Sequence, residues 1–218
     1  SLQVRLPGDV SLIQAETTNT GELRAIARYD ETKSADIEQV ELQGGQLVIT
    51  LEPAVGKPYQ GIVPLDSNQL NEAFEHYFKQ SEQLGSRFWL ECDGTVASGF
   101  MLQQLPSSEQ GDADAWDRLN HLAGTLKAEE LLTLDNQTIL HRLYHEEQVR
   151  LYDEENLKFA CTCSKERIGN AIEKVGFEEL MDVIAEQGKV SVDCQFCLQH
   201  YSFDKEQIGD LFPEKKLH

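Results

Sequence analysis

The sequence predicts an α+β fold: a strand-rich core domain with packed helices, a helical linker, and a small C-terminal module built on four cysteines. Three observations carry this. Residues 1 to about 65 hold alternating and β-rich runs. Apolar stripes at helical spacing take over from about residue 68. Four of the five cysteines stand in two close pairs, Cys161/Cys163 and Cys194/Cys197. The predicted boundaries are core 1–106, acidic helical linker 107–160, cysteine module 161–205 and tail 206–218.

In the core, Leu2, Val4 and Leu6 alternate with polar residues like a half-buried strand. The chain has no initiator Met and opens inside this strand, so it reads as a fragment whose natural start lies upstream. Residues 46–51 form a compact β run behind the turn signal Gly44-Gly45. Residues 68–84 read as a helix, with Leu70, Phe74, Tyr77 and Phe78 as its apolar stripe and Ser67 as its N-cap. Strands at 87–91 and 96–103 follow, joined by a hairpin at Cys92-Asp93-Gly94.

Residues 106–114 are polar and read as a connector. One helical stripe then carries Trp116, Leu119, Leu122 and Leu126; a second, over 137–147, carries Ile139, Leu140, Leu143 and Tyr144. Residues 107–160 hold 12 acidic and 5 basic side chains, a net of −7. Apolar stripes on so charged a background can dock on a core but resist compaction, which marks a conditionally folded element. Within the cysteine module, Ile168, Ile172 and Val175 mark one helix, and Leu180, Val183 and Ile184 another. A strand at 189–192 leads into Cys194, and 213–218 read as a frayed end.

Composition narrows the function classes. At 218 residues, 40% hydrophobic and 26% charged, the chain can bury a core. No run approaches the roughly 18 apolar residues of a membrane span, and no signal segment opens it; the expected location is cytoplasmic. With 19 Lys+Arg against 38 Asp+Glu, the net charge of −19 repels nucleic-acid phosphates and anionic membranes. No P-loop or dinucleotide glycine pattern is present, so ATP dependence has no support.

The cysteines carry the chemistry. An odd count in short-spaced pairs argues against a disulfide scaffold and for metal or redox work in a reducing compartment. Cys161-Thr162-Cys163, a 30-residue spacer, then Cys194-Gln195-Phe196-Cys197 supplies four thiolates as metal ligands. Such a set selects Zn²⁺ or an iron–sulfur cluster over hard cations. A 41-residue module (161–201) sits near the ~40 residues below which chains need a metal, disulfides or a partner. Zinc contributes about 10–16 kcal/mol to such folding. Two readings stay open from the residues alone: a permanent zinc staple, or a switch in which peroxide or hypochlorite oxidises the thiolates and dissolves the ligand set.

Other residues earn smaller roles. Cys92 reads as a part-buried structural thiol. His141 and His145 lack a third ligand nearby and read as surface or packing residues. His200 follows Cys197 closely, but four thiolates already complete a tetrahedron. Phe196 and Tyr201 read as packing residues of the module, and Trp116 as linker core.

Cys161-Thr162-Cys163-Ser164-Lys165-Glu166-Arg167, the 30-residue spacer, and Cys194-Gln195-Phe196-Cys197 with His200-Tyr201 resemble the heat shock protein 33 family of redox-regulated chaperones. The likeness extends upstream through Tyr59-Gln60-Gly61-Ile62-Val63, residues 77–83, residues 129–134 and residues 143–147, so it runs from near residue 1 to about 205. Two departures from the family stand out: the chain reads as lacking the segment that members carry ahead of the Leu2–Leu6 strand, and position 168 is Ile where some relatives carry an additional cysteine.

The resemblance implies an ATP-independent holdase, not an enzyme, that binds unfolding proteins under oxidative stress. It implies one zinc on Cys161, Cys163, Cys194 and Cys197 in an inactive reduced form. It further implies that oxidation forms Cys161–Cys163 and Cys194–Cys197 disulfides, releases zinc, and unfolds the module and linker. The active form would be a homodimer. Two alternatives compete. A zinc-ribbon interaction module for nucleic acid must contend with 4 basic and 7 acidic side chains in 161–201. A thiol–disulfide oxidoreductase would use Cys194 and Cys197, but its C-x-x-C belongs at a helix start near a βαβ unit.

Overall fold

The computed structural model describes residues 1–33, 39–105 and 114–213. Most of the predicted connector at 106–114 and the end from 214 lie outside the described residues. The chain divides into two compact units: 1–14 with 27–155, and 15–26 with 156–218.

In the first unit, β1 (Leu2–Arg5), β4 (Gln46–Leu51) and β5 (Tyr59–Pro64) pair antiparallel. Register places Val4, Leu47 and Val63 in one cross-strand row, and all three are buried. Leu2, Ile49 and Gly61 form the next row on the same face. Over these rows lies α1 (Leu70–Tyr77), which buries Ala73 and Tyr77 and continues into a π-helical turn, Phe78–Glu82. Gly61 makes that approach possible, because a Cβ there would collide with the Tyr77 ring. The helix begins later than predicted. Gln69 occupies the N-cap position, and Ser67 serves two residues upstream, its Oγ accepting from Gln69 N (3.2 Å) and donating to Glu72 Oε2 (2.6 Å).

Strands β2 (Val10–Thr17) and β3 (Glu22–Tyr29) extend this sheet, in the order β5-β4-β1-β2-β3, and run on from the first unit into residues 15–26. The sequence reading placed them only within a strand-rich stretch: Leu23, Ala25, Ala27 and Tyr29 alternate along β3 but on its exposed face, and β2 buries only Val10.

The hairpin β6 (Ser86–Cys92) and β7 (Ala97–Gln103) forms as expected, its turn held by Asp93 Oδ1 accepting from Thr95 N and Val96 N, each at 2.7 Å. Alternation gives it two working faces. Phe88 meets Phe74 and Phe78 at 5.3 and 5.5 Å between ring centroids. Trp89 and Phe100, directly opposed, pack on Ala123, Leu131, Ile139, Leu143 and Tyr144.

Those last residues belong to α2 (Ala115–Ala123), α3 (Ala128–Thr133) and α4 (Asn136–Tyr144), so most of the predicted linker folds within the first unit. Asp135 caps α4, accepting from Thr138 N at 2.9 Å. Ion pairs Arg142–Glu130 (2.6 Å) and Arg118–Glu147 (2.7 Å) offset some of the acidic repulsion. Trp116 is half-buried, placed against Gly85. Cys92 is exposed at the end of β6, which corrects the expectation of a part-buried thiol.

In the second unit, the short strand β8 (Lys158–Phe159) runs parallel to β3 at Glu22 and Leu23. Gly21, at φ +73°, lets it in: a Cβ there would lie 2.6 Å from the Asn156 carbonyl oxygen. Then come α5 (Lys165–Ile172), a 3-10 turn, α6 (Phe177–Gln187), the antiparallel pair β9 (Val190–Asp193) and β10 (His200–Phe203), and α7 (Lys205–Leu211). Their core is Ile172, Leu180, Ile184, Val190, Phe203 and Ile208. The chain beyond 205, expected as tail, supplies the fully buried Ile208. A capping box between Asp204 and Gln207 starts that helix.

Among the described residues, no helix is long and apolar enough to cross a membrane.

Candidate metal centre

The two cysteine pairs reach the centre on different local structures. Cys161 and Cys163 lie between β8 and α5. Ser164 caps α5, its Oγ accepting from Arg167 N at 3.1 Å, and Arg167 Nη1 donates to the Thr162 carbonyl at 2.9 Å. The first pair is thereby fixed at a helix entrance. Cys194 and Cys197 sit in the turn between β9 and β10. Leu198 N donates to the Cys194 carbonyl (2.8 Å), and Cys194 N to the Gln199 carbonyl (3.0 Å). This knuckle forces Leu198 to φ +59°, a left-handed conformation that costs a branched residue about 1–2 kcal/mol.

All four Sγ atoms lie within 4.8 Å of one another. Two approaches cross between the pairs, at 3.7 Å for Cys161–Cys194 and 3.4 Å for Cys163–Cys197. A tetrahedral ion with sulfur ligands at ~2.3 Å demands S···S edges of about 3.8 Å, so the set fits a thiolate-bound metal. Cys194 is buried and the other three are half-buried.

The surroundings polarise the sulfurs. Tyr201 Oη donates to Cys163 Sγ at 3.1 Å. Burial pushes the Cys161 thiol up, but the backbone N–H and side chain of Cys163, with Arg24, outweigh it and hold Cys161 down at about 6. At Cys197 a hydrogen bond from the Gln199 backbone pulls down, yet the neighbouring sulfurs and burial push it up to about 12. Tyr201 rises to about 12, chiefly because its hydroxyl is bonded to Cys163. A thiol that coordinates a metal cation is deprotonated, so an ion held among these sulfurs would be bound by thiolates.

The remaining sequence candidates fall outside the centre. His200 Nδ1 lies 2.7 Å from Asp193 Oδ1 and closes the β9–β10 pair. The His141 and His145 rings stack 5.8 Å apart on and just beyond α4. The sequence reading missed Arg24 and Glu16. Both come from residues 15–26, yet they belong to the same compact unit as the cysteines. No local signal marks them, because the contact spans 137 residues of chain.

A family model described as Hsp33 protein matches residues 1–204. The chain belongs to the Hsp33 family. Among its relatives, the 33 kDa chaperonin of Pseudomonas syringae pv. syringae is 48% identical over 219 residues, covering 97% of this chain and 73% of that protein. The 33 kDa chaperonin of Pseudomonas aeruginosa is 45% identical with the same coverage. The Hsp33 fold itself is matched in the crystal structure of the 33 kDa chaperonin from Thermotoga maritima. Its TM-score is 0.78 at 22% identity, over 99% of this chain and 77% of that one.

Proposed function

We propose that this protein is a redox-regulated, ATP-independent holdase that binds unfolding proteins in the cytoplasm under oxidative stress. Cys161, Cys163, Cys194 and Cys197 are its zinc ligands and its redox sensor. The observation that carries the reading is the convergence of two local cysteine pairs within 4.8 Å, on a unit whose own core is small.

Zinc in this site would tie the α5 entrance to the β9–β10 knuckle and supply most of the folding energy, about 10–16 kcal/mol in such modules. The thiolates are where an oxidant acts. A thiolate attacks one oxygen of hydrogen peroxide, the O–O bond breaks, hydroxide leaves, and the sulfur becomes a sulfenic acid. A neighbouring thiolate displaces the second hydroxide and closes the disulfide. Two peroxides thus take four electrons from the four sulfurs and, with four protons, yield two disulfides and four waters. Cys161–Cys163 and Cys194–Cys197 are the pairs proposed, separated by one and two residues of chain. With the ligand set gone, the module unfolds, the acidic helices of 107–160 loosen, and apolar faces now packed on Trp89 and Phe100 become client-binding surface. The net charge of −19 keeps that form in solution. The active form is a homodimer.

The test follows zinc release with a colorimetric chelator as peroxide is added at mildly elevated temperature, with circular dichroism and client aggregation in parallel. One zinc leaves with partial loss of helix, and only the oxidised protein suppresses aggregation without ATP. Equal protection by both forms refutes the thiol switch. Tryptic mapping that finds a Cys163–Cys197 link instead refutes the proposed pairing.

A further inference from the structure

Arg24 touches both cysteine loops. Its Nη1 donates to Thr162 Oγ1 at 3.1 Å and lies 3.6 Å from Cys161 Sγ. Its guanidinium carbon sits 4.1 Å from the Phe196 ring centroid. Thr162 stands between the first two cysteines, and Phe196 between the second two. Nε and Nη2 are held by Glu16 Oε2 at 2.7 and 2.6 Å. The Arg24 side chain is one-fifth exposed. Hydrogen-bonding on one edge, stacking on a ring and ion-pairing on another edge requires a planar fork, which lysine lacks.

We propose that Arg24 is a positioning residue that sets the oxidant threshold of the sulfur centre, with Glu16 as the counter-charge that tunes it. This rests on the redox reading above. Four thiolates around a divalent cation carry a net −2, and Arg24 brings a cation within 3.6 Å of one of the sulfurs. Attack on peroxide moves negative charge from sulfur to departing hydroxide. A cation fixed at the sulfur therefore stabilises the thiolate more than the transition state and slows attack. Glu16 withdraws part of that stabilisation, so the pair opposes and adjusts the reactivity of Cys161.

The test uses the zinc-loaded chain of residues 1–218 and three variants, Arg24→Gln, Arg24→Lys and Glu16→Gln. Zinc release under peroxide is timed, together with iodoacetamide labelling of Cys161. Arg24→Gln releases zinc about fivefold faster than the parent, Arg24→Lys falls between, and Glu16→Gln is about two- to threefold slower. Labelling follows the same order. A purely structural contact would make every variant faster, so the opposite signs decide. Equal rates in all four proteins, or faster release from Glu16→Gln, overturns the inference. If Arg24→Gln does not hold zinc, the sign of the Glu16→Gln change alone settles it. A parent chain that retains zinc under peroxide sinks the redox reading and this inference with it; a parent that switches while the variants match it sinks this inference alone.

Discussion

Replacing Ile208 with Ala tests whether metal binding and folding of the second unit are one process. Ile208 lies on α7 with no exposed surface, packed among Ile172, Leu180, Ile184, Val190 and Phe203. Removing its outer carbons from so enclosed a site costs about 2–5 kcal/mol, and ~3 is a central value. None of the four cysteines belongs to that cluster, so a local effect on the ligands is not expected. If the unit is unfolded without metal, the folding penalty is charged in full to zinc affinity. At 1.4 kcal/mol per decade, zinc binding weakens about a hundredfold. The assay is competition with a chelator of known affinity, on the full chain under reducing conditions. Ile139→Ala serves as control. It opens the cluster of α2–α4 in the first unit, lowering thermal stability while leaving zinc affinity unchanged. A change in zinc affinity below about threefold for Ile208→Ala, with amide protection of α5–α7 reduced, would show that the unit folds before it binds and would refute the reasoning.

Other outcomes follow from single sites. Cys→Ser at Cys161, Cys163, Cys194 or Cys197 lowers zinc affinity and strips amide protection from 161–201 while the first unit stays protected; retained protection there ends the staple argument. Leu198→Gly relieves the positive φ of a residue that is 77% exposed and buries little, so about 1 kcal/mol returns to the knuckle and zinc extraction slows roughly fivefold. Gly61→Ala drives a Cβ into the Tyr77 ring and lowers thermal stability by about 1–3 kcal/mol, read from denaturant midpoints. Asp135 is held below the ordinary carboxyl range by the Thr138 hydroxyl and backbone N–H. Its cap on α4 is therefore intact above the unfolded carboxyl value and lost as pH falls through the depressed one; in an acid titration followed by amide exchange, Asp135→Asn flattens that loss over 136–144.

Sequence periodicity located most helices because their stripes are buried: Leu180 and Ile184 on α6, Ile139 and Leu143 on α4. It located the four sulfurs because metal-ligand spacing is local within each pair. It did not single out β2 and β3, since only Val10 of β2 is buried and the alternating apolar residues of β3 are exposed, nor the partnership of residues 15–26 with the cysteines. That partnership rests on backbone pairing of Glu22 and Leu23 with β8 and on one arginine, neither of which leaves a pattern in composition. The tail reading of 206–211 erred for a related reason. A single buried isoleucine in a seven-residue helix gives too short a period to detect, although Asp204 and Gln207 stand at capping-box spacing.

The energetics of the second unit explain why its stability should reside in sulfur. Its six core residues are aliphatic or aromatic but few, and chains of this size fold with little margin from burial alone. A knuckle that holds Leu198 in a left-handed conformation subtracts from that margin. On the proposed function, the deficit is met by bonds to four thiolates, which peroxide removes by a defined four-electron oxidation. Stability drawn from packing answers to temperature and denaturant; stability drawn from thiolates answers to oxidant as well. A larger core or a glycine at 198 would make the unit more stable and a poorer sensor. On that reading the small core, the strained knuckle and the Arg24–Glu16 pair would all act on the same quantity, the oxidant concentration at which the second unit unfolds.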